Sequence, residues 1–262
     1  MTWFTDQMGR SFVLEQPPRR IISLVPSQTE LLAYLGLEEE VVGITRFCIH
    51  PRHWRRDKPR VGGTKQLHTD RIDALRPDLI IGNKEENDKA QIEALAGRYP
   101  VWMSDVGNLD SALDMIRQVG VLCNAADRAS ALALDIAAAF ASLPPQPLLR
   151  AAYLIWRNPW MAAGGHTFIH DMLGRAGFGN VFENQARYPE FSLKMLADAR
   201  PEVVLLSSEP YPFKDEHIEE IRAVCPQAVI LLADGELFSW YGSRLLQAPS
   251  YFYELYAACR PR

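Results

Sequence analysis

Four short apolar runs, arranged as two similar pairs, constrain this chain most. Ile21-Ile22-Ser23-Leu24-Val25 is followed by Asp78-Leu79-Ile80-Ile81-Gly82, and the later half repeats the plan with Ala152-Tyr153-Leu154-Ile155-Trp156 and Val203-Val204-Leu205-Leu206-Ser207. Runs this brief and this continuously apolar read as strands buried on both faces, the signature of a parallel sheet covered by helices. Two such halves describe an α/β chain of two Rossmann-like lobes, and in open α/β sheets a ligand sits beyond the carboxyl ends of the strands.

The punctuation between the runs supports this reading. Pro26-Ser27 turns the chain after the first strand, residues 28–35 are helical, and Gly36 closes that helix. Strands over 41–45 and 100–104 and helices over 71–75 and 89–96 complete the first lobe, with Phe12-Val13-Leu14 as part of an edge hairpin. Residues 109–121 and 127–143 are apolar at helical spacing, and Pro144-Pro145 and Pro147 stop the second of them. A seventeen-residue helix over 127–143 would span about 25 Å, enough for one rigid connecting helix between the lobes. The division is therefore 1–107 for the first lobe, 108–146 for the connecting helices and 147–262 for the second lobe. In the second lobe, strands at 152–156, 203–207 and 228–232 alternate with helices at 167–176, 193–199, 215–224 and 250–259.

Composition excludes several classes. With 48% hydrophobic residues, 23% charged residues and a net charge of -4, the chain has an ordinary globular make-up and no general attraction for nucleic acid or anionic lipid. The local basic run of Arg52, His53, Arg55, Arg56, Lys58 and Arg60 reads as a solvated loop in preference to a phosphate site. The four cysteines, Cys48, Cys123, Cys225 and Cys259, match no metal or redox spacing. The first twenty residues lack a charged start, an apolar stretch and a cleavage site, so the expected location is the cytoplasm, or the periplasm if a leader has been removed. No apolar run reaches the ~18 residues that span a bilayer.

Five segments that follow strands carry the candidate chemistry. In Thr45-Arg46-Phe47-Cys48-Ile49-His50, Cys48 and His50 are legitimate soft metal ligands that need partners from elsewhere. Val61-Gly62-Gly63-Thr64-Lys65 exposes backbone N–H groups beside a cation and can hold a phosphate or carboxylate, although it lacks the spacing of a nucleotide phosphate loop. Asn83-Lys84-Glu85-Glu86-Asn87 offers ligand groups in Asn83 and Glu85 alongside capping of the next helix. The run from Trp156 through Arg157 and Trp160 to Gly164-Gly165 is aromatic and then glycine-rich, suited to flooring a flat ligand. His166 and His170 share a helical spacing but no HExxH and are taken as structural. Last come Ser208-Glu209-Pro210-Tyr211 and residues 234–244, where Trp240 and Arg244 stand among acids. No nucleophile-base pairing is legible, because GxSxG is absent and Cys48 with His50 lacks an orienting third group.

The stretches PRRIISLVPSQTELLAYLG, VGITRF, RIDALRPDLII and PVWMSD within residues 18–104 resemble the helical-backbone substrate-binding proteins of ABC importers, the family that carries corrinoids and siderophores. The resemblance extends less sharply through the second lobe. It implies two lobes joined by a rigid helix, a metal chelate or corrinoid held in the cleft, and no intrinsic cofactor. Phe47 and Tyr188 fall where corrinoid-binding members carry cleft aromatics, and Thr64 falls where they carry a lid tryptophan. Permease docking in the family uses an acidic residue on each lobe; Asp70 fits the first position, and Lys194 reverses the charge at the second.

The expectation is thus a non-enzymatic binding protein for a corrinoid, haem or ferric siderophore, a cytosolic relative of the importer components. Phe47, Trp156, Trp160, Tyr188 and Trp240 are the expected walls, and Lys65, Arg157 and Arg244 the expected partners of ligand anions, with Asn83, Glu85 and Glu209 as further contacts. One alternative is an exported importer component for cobalamin or iron-siderophore uptake that works with an ABC permease. The other is an enzyme acting on such a cofactor through Glu85, Glu86, Glu209 or Asp234.

Overall fold

The computed structural model describes residues 1–260, and they divide into two units, each built round its own mainly parallel sheet. Unit 1 comprises Met1–Val106, Asp110–Ala137 and Tyr241–Arg244; unit 2 comprises Gly107–Leu109, Ala138–Trp240 and the chain from Leu245. One boundary between the units falls between Ala137 and Ala138, within the stretch 127–143.

Unit 1 opens with the antiparallel hairpin β1 (Thr2–Thr5) and β2 (Ser11–Leu14), a two-stranded sheet of its own. Its turn is tied to the main sheet by Gln7 N–H donating to the Met103 carbonyl at 3.1 Å and Met103 N–H donating to Asp6 at 3.2 Å. Then follow β3 (Ile21–Ser23), α1 (Pro26–Tyr34), β4 (Val41–Ile44), α2 (Arg52–Asp57), α3 (Thr69–Leu75), β5 (Leu79–Asn83), α4 (Lys89–Ala96), β6 (Val101–Ser104), α5 (Leu109–Leu122) and α6 (Ala126–Ala141). The sheet order is β4-β3-β5-β6, all parallel.

Local chemistry explains these elements. Proline at the first turn of α1 has no N–H to leave orphaned, and Gly36, at φ +79°, supplies the left-handed residue just past the helix. Asp88 caps α4 by accepting from Gln91 N–H at 3.0 Å. All five residues of β5 are buried, which is why its run is apolar throughout. Ile22, Leu24, Val61, Ile72, Ile80, Ile92 and Leu95 form the core of this unit.

The basic run is not the solvated loop that its charge implies. Residues 52–57 form α2, pinned by a buried Trp54 with the Lys58 ammonium 5.3 Å from its ring. A single apolar anchor is enough to order a segment whose other side chains are wet.

Unit 2 contains β7 (Leu149–Trp156), β8 (Met161–Ala162), α7 (Phe168–Arg175), β9 (Phe178–Asn180), α8 (Leu193–Ala199), β10 (Val203–Ser207), α9 (Asp215–Arg222), β11 (Val229–Ala233), α10 (Gly235–Ser239), a 3-10 turn at Ser243–Leu246 assigned partly to unit 1, and α11 (Ala248–Cys259). Strands β11, β10, β7 and β9 pair in parallel and β8 runs antiparallel to β7. β10 is buried along its whole length, and its Leu206 shares a core with Leu154, Phe182, Phe191, Leu196 and Ile221. Thr167 and Ser192 cap α7 and α8 by accepting from His170 N–H at 3.1 Å and Met195 N–H at 3.2 Å. His166 precedes the α7 cap at φ +57° and lies outside the helix, so it does not share a helix face with His170. Among the described residues no helix is long and apolar enough to cross a membrane.

Candidate functional site

The strand ends of unit 1 place Phe47 at the surface. It follows β4, is 47% exposed, and has the Arg46 guanidinium 4.8 Å from its ring centre. Gly63 lies against the same ring: a Cβ added there would stand 3.1 Å from Phe47 Cε2. Lys65 is exposed, but its ammonium already donates to the Glu85 carbonyl at 2.6 Å. Glu85 is half-buried in the turn that Asn83 organises.

Two expected ligand groups in this unit are interior instead. Asn83 is buried; its Oδ1 accepts from Glu85 N–H at 2.8 Å and Glu86 N–H at 3.1 Å, and its Nδ2 donates to Ser104 Oγ at 2.9 Å. All of its hydrogen-bonding capacity towards a guest is spent on building the β5 turn. Cys48 is likewise buried, with Sγ 3.0 Å from Thr29 Oγ1 and 3.2 Å from Thr45 Oγ1. Burial pushes its thiol up from the ordinary value, and the two threonine hydrogen bonds only partly oppose that. A thiol held neutral is a packed hydrophobe rather than a metal ligand. The half-buried His50 gains no ligand set either, for among the described residues no three histidines, cysteines or carboxylates gather at one point.

In unit 2 the end of β7 carries the other surface aromatic. Trp156 is 39% exposed and meets Tyr211 edge-on at 5.7 Å. Tyr211 leans on Phe213 at 4.7 Å, and Phe213 stacks on Trp160 at 5.9 Å with their planes 8° apart. Arg157 spans this group, donating from Nε to Glu220 at 2.9 Å with its guanidinium carbon 5.7 Å from the Trp160 ring. The Glu220 carboxylate raises the Arg157 pKa further above its ordinary value, so this cation is permanent and already paired. Trp160 is half-buried in the aromatic stack, and Tyr188 is half-buried on the segment before α8.

The remaining candidates turn inward. Trp240 is 6% exposed, and its Nε1 donates to Glu209 Oε1 at 2.7 Å, where Ser239 Oγ also donates at 2.9 Å. The apolar side chains of this loop, Leu237, Phe238 and Trp240, are thus buried in and beside α10 rather than left in water. Arg244 forms a two-pronged ion pair with Glu30, at 3.0 and 2.5 Å, within unit 1. It is committed to α1 rather than to an anionic guest. Asp70 is exposed in the first turn of α3, and Lys194 is exposed on α8, paired with Asp198 at 2.6 Å.

Glu209 itself is a partly desolvated acid. Burial raises its pKa above the usual carboxylate range, against the lowering effect of the Ser239 and Trp240 donors. A carboxyl whose folded-state pKa exceeds its unfolded value adds stability that is fully present below the unfolded pKa and lost as pH rises through the folded one. Glu209→Gln keeps an oxygen for both donors and removes the charge, so it is expected to match wild type near pH 4 and to exceed it by about 1 kcal/mol at pH 8. Paired thermal melts across that range check this; a difference that does not change with pH would refute it.

Residues 21–224 match the family described as periplasmic binding protein. The chain belongs to that family. It is 25% identical over 198 residues to the vitamin B12-binding protein of Vibrio parahaemolyticus, an alignment covering 73% of this chain and 72% of the relative. Its fold is similar to that of the periplasmic vitamin B12 binding protein BtuF of Vibrio cholerae, with a TM-score of 0.76 at 20% identity over 94% of this chain and 99% of that one. A periplasmic heme binding protein from Pseudomonas aeruginosa aligns with a TM-score of 0.76 at 25% identity, covering 94% of this chain and 95% of its own. These relatives are binding proteins, and the family is one of binding proteins rather than enzymes. The enzyme reading is accordingly set aside.

Arg46, His68 and Arg71, none of them a candidate on sequence grounds, line a pocket with Arg60 and Gly62-Gly63. Their spacing obeys no known motif; pairing between distant segments, including the parallel bridge between Ile44 and Arg60 and the antiparallel bridge between Gly62 and Leu67, brings them together.

Proposed function

We propose that this protein binds, without transforming it, a metal chelate of the corrinoid, haem or ferric-siderophore kind, and carries no resident cofactor. The observation that carries the reading is the pair of surface aromatics at strand ends, Phe47 after β4 in unit 1 and Trp156 at the end of β7 in unit 2, in a chain of this family. Exposed rings flanked by an arginine suit a flat, partly anionic guest, which gains dispersion from the ring and charge from the guanidinium. Tyr188 is a further contact in this reading, Lys65 and Glu85 rim groups.

Cyanocobalamin, hemin and a ferric hydroxamate titrated into the protein, with tryptophan emission corrected for ligand absorbance, test it. Saturable quenching by one of the three is expected, and Phe47→Ala is expected to weaken that ligand about tenfold, a loss near 1.4 kcal/mol. Silence across the panel removes the proposal.

Delivery to an ABC permease is the second reading, favoured by family membership. Lys194 counts against it: with Asp198 beside it, the second docking position presents a mixed rather than an acidic face. On that ground we favour a binding protein that acts without a permease, and fractionation of cells producing the full-length gene product tells a cytoplasmic protein from an exported one.

A further inference from the structure

Beside Phe47, unit 1 contains a pocket of about 180 Å³ of which the chelate reading uses Arg46 alone. Arg46, Arg60 and Arg71 line it together with His68, Gln66 and the Gly62-Gly63 backbone, and no acidic residue lines it. None of the three arginines makes an ion pair among the described residues, whereas Arg10, Arg98, Arg157, Arg175 and Arg244 each hold a carboxylate. In a chain of net charge -4 this is a local concentration of unneutralised positive charge rather than a consequence of general basicity.

The frame around the pocket is ordered by its backbone. Arg46 N–H donates to the Gly62 carbonyl at 2.8 Å, His68 N–H to Val61 at 2.8 Å, Val61 N–H to Ile44 at 2.9 Å and Gly63 N–H to Gln66 at 2.7 Å. Arg71 Nη1 donates to the Arg60 carbonyl at 3.1 Å and Arg60 Nη2 to the Arg55 carbonyl at 2.9 Å. Each guanidinium has five donors, so one carbonyl contact orients it and leaves the rest of the fork for another acceptor.

We infer that this pocket is an oxyanion site for a phosphate group. Three guanidiniums drawn from a strand-end loop, the turn before Val61 and α3 match the several acceptor directions of a tetrahedral anion, whereas one planar carboxylate is filled by a single fork. The pocket is of a size for one such group and too small for a macrocycle. The phosphate can be free, or it can be the anionic arm of a larger guest. The inference does not depend on the chelate reading.

Sodium phosphate titrated calorimetrically into the protein alone, at constant ionic strength, is expected to bind saturably. Arg60→Gln and Arg71→Gln are each expected to weaken it at least tenfold, with melting curves in phosphate-free buffer confirming that the variants fold. Lys89→Gln, on the exposed face of α4 and outside the pocket, is expected to leave it unchanged. Repeating the titration with a saturating chelate separates the sources: loss of phosphate binding assigns the pocket to an arm of the guest, and undiminished binding assigns it to the free ion. Absence of saturable phosphate binding, or equal weakening by Lys89→Gln, overturns the site. Because the primary titration contains no chelate, its outcome is independent of whether any chelate binds.

Discussion

Phe252→Ala is expected to remove about 3–5 kcal/mol of stability, the largest single effect we anticipate. Phe252 is fully buried on α11, 4.6 Å from the Phe238 ring and 6.2 Å from Phe140, which it meets edge to face. Phe238 in turn lies 4.9 Å from Tyr153 in β7, so the ring closes a chain of aromatics from the last helix to the sheet of unit 2. Truncation leaves a cavity lined by rigid rings that cannot collapse into it, and it forfeits the pair energies as well as the burial. Urea unfolding followed by circular dichroism measures the loss. Tyr253→Ala, one residue along and 54% exposed, is the comparison and is expected to stay within about 0.5 kcal/mol of wild type. Similar midpoints for the two variants would show that α11 is not anchored as described.

Gly62→Ala is expected to cost about 1–3 kcal/mol in backbone strain alone, and more once its collision is counted. Gly62 sits at φ +115°, and a Cβ there would stand 2.3 Å from the Gln66 carbonyl oxygen and 3.0 Å from His68 N. The atoms in the way are backbone, so relief requires moving the turn that holds Gln66 and His68 in the arginine-lined pocket. The variant is expected to lose stability and phosphate binding together. Gly174→Ala provides the contrast, because nothing lies within 4 Å of the added carbon and the site is inside α7. There the change is expected to stabilise by about 0.5–1 kcal/mol through helix propensity. Differential scanning of the two proteins beside wild type decides the point, and opposite signs are required.

Much of the fold was readable along the chain for reasons that particular elements make clear. α4, α8 and β10 begin and end where apolar periodicity and caps place them: Asp88 and Ser192 are side-chain caps, and β10 is an apolar run buried on both faces. The elements that escaped notice are short or depend on distant partners. α10 has five residues and starts on glycine, β8 has two, and α2 looks like a wet basic loop until Trp54 is seen to be buried. Periodicity needs length to register, and none of these has it.

The candidate site was less legible because composition says which side chains are chemically able, not where they point. Trp156 and Trp240 read alike in sequence, yet one is surface and the other is hydrogen-bonded to Glu209 in the interior. Arg157 and Arg244 were both expected to meet an anionic guest, and each already holds a glutamate. Asn83 follows a familiar logic of strand-end polarity, but its amide is consumed by its own turn.

Chain-local chemistry therefore settled the α/β class and the two parallel sheets, since apolar period, proline and glycine act over a few neighbouring residues, whereas the family was carried by the likeness of whole stretches of sequence. Which strand-end side chains face water, and the meeting of Arg46, Arg60 and Arg71 in one pocket, were decided by pairing between distant segments. A side chain's direction follows from the packing of its whole neighbourhood, and that neighbourhood exists only once residues far apart in the chain have been brought together.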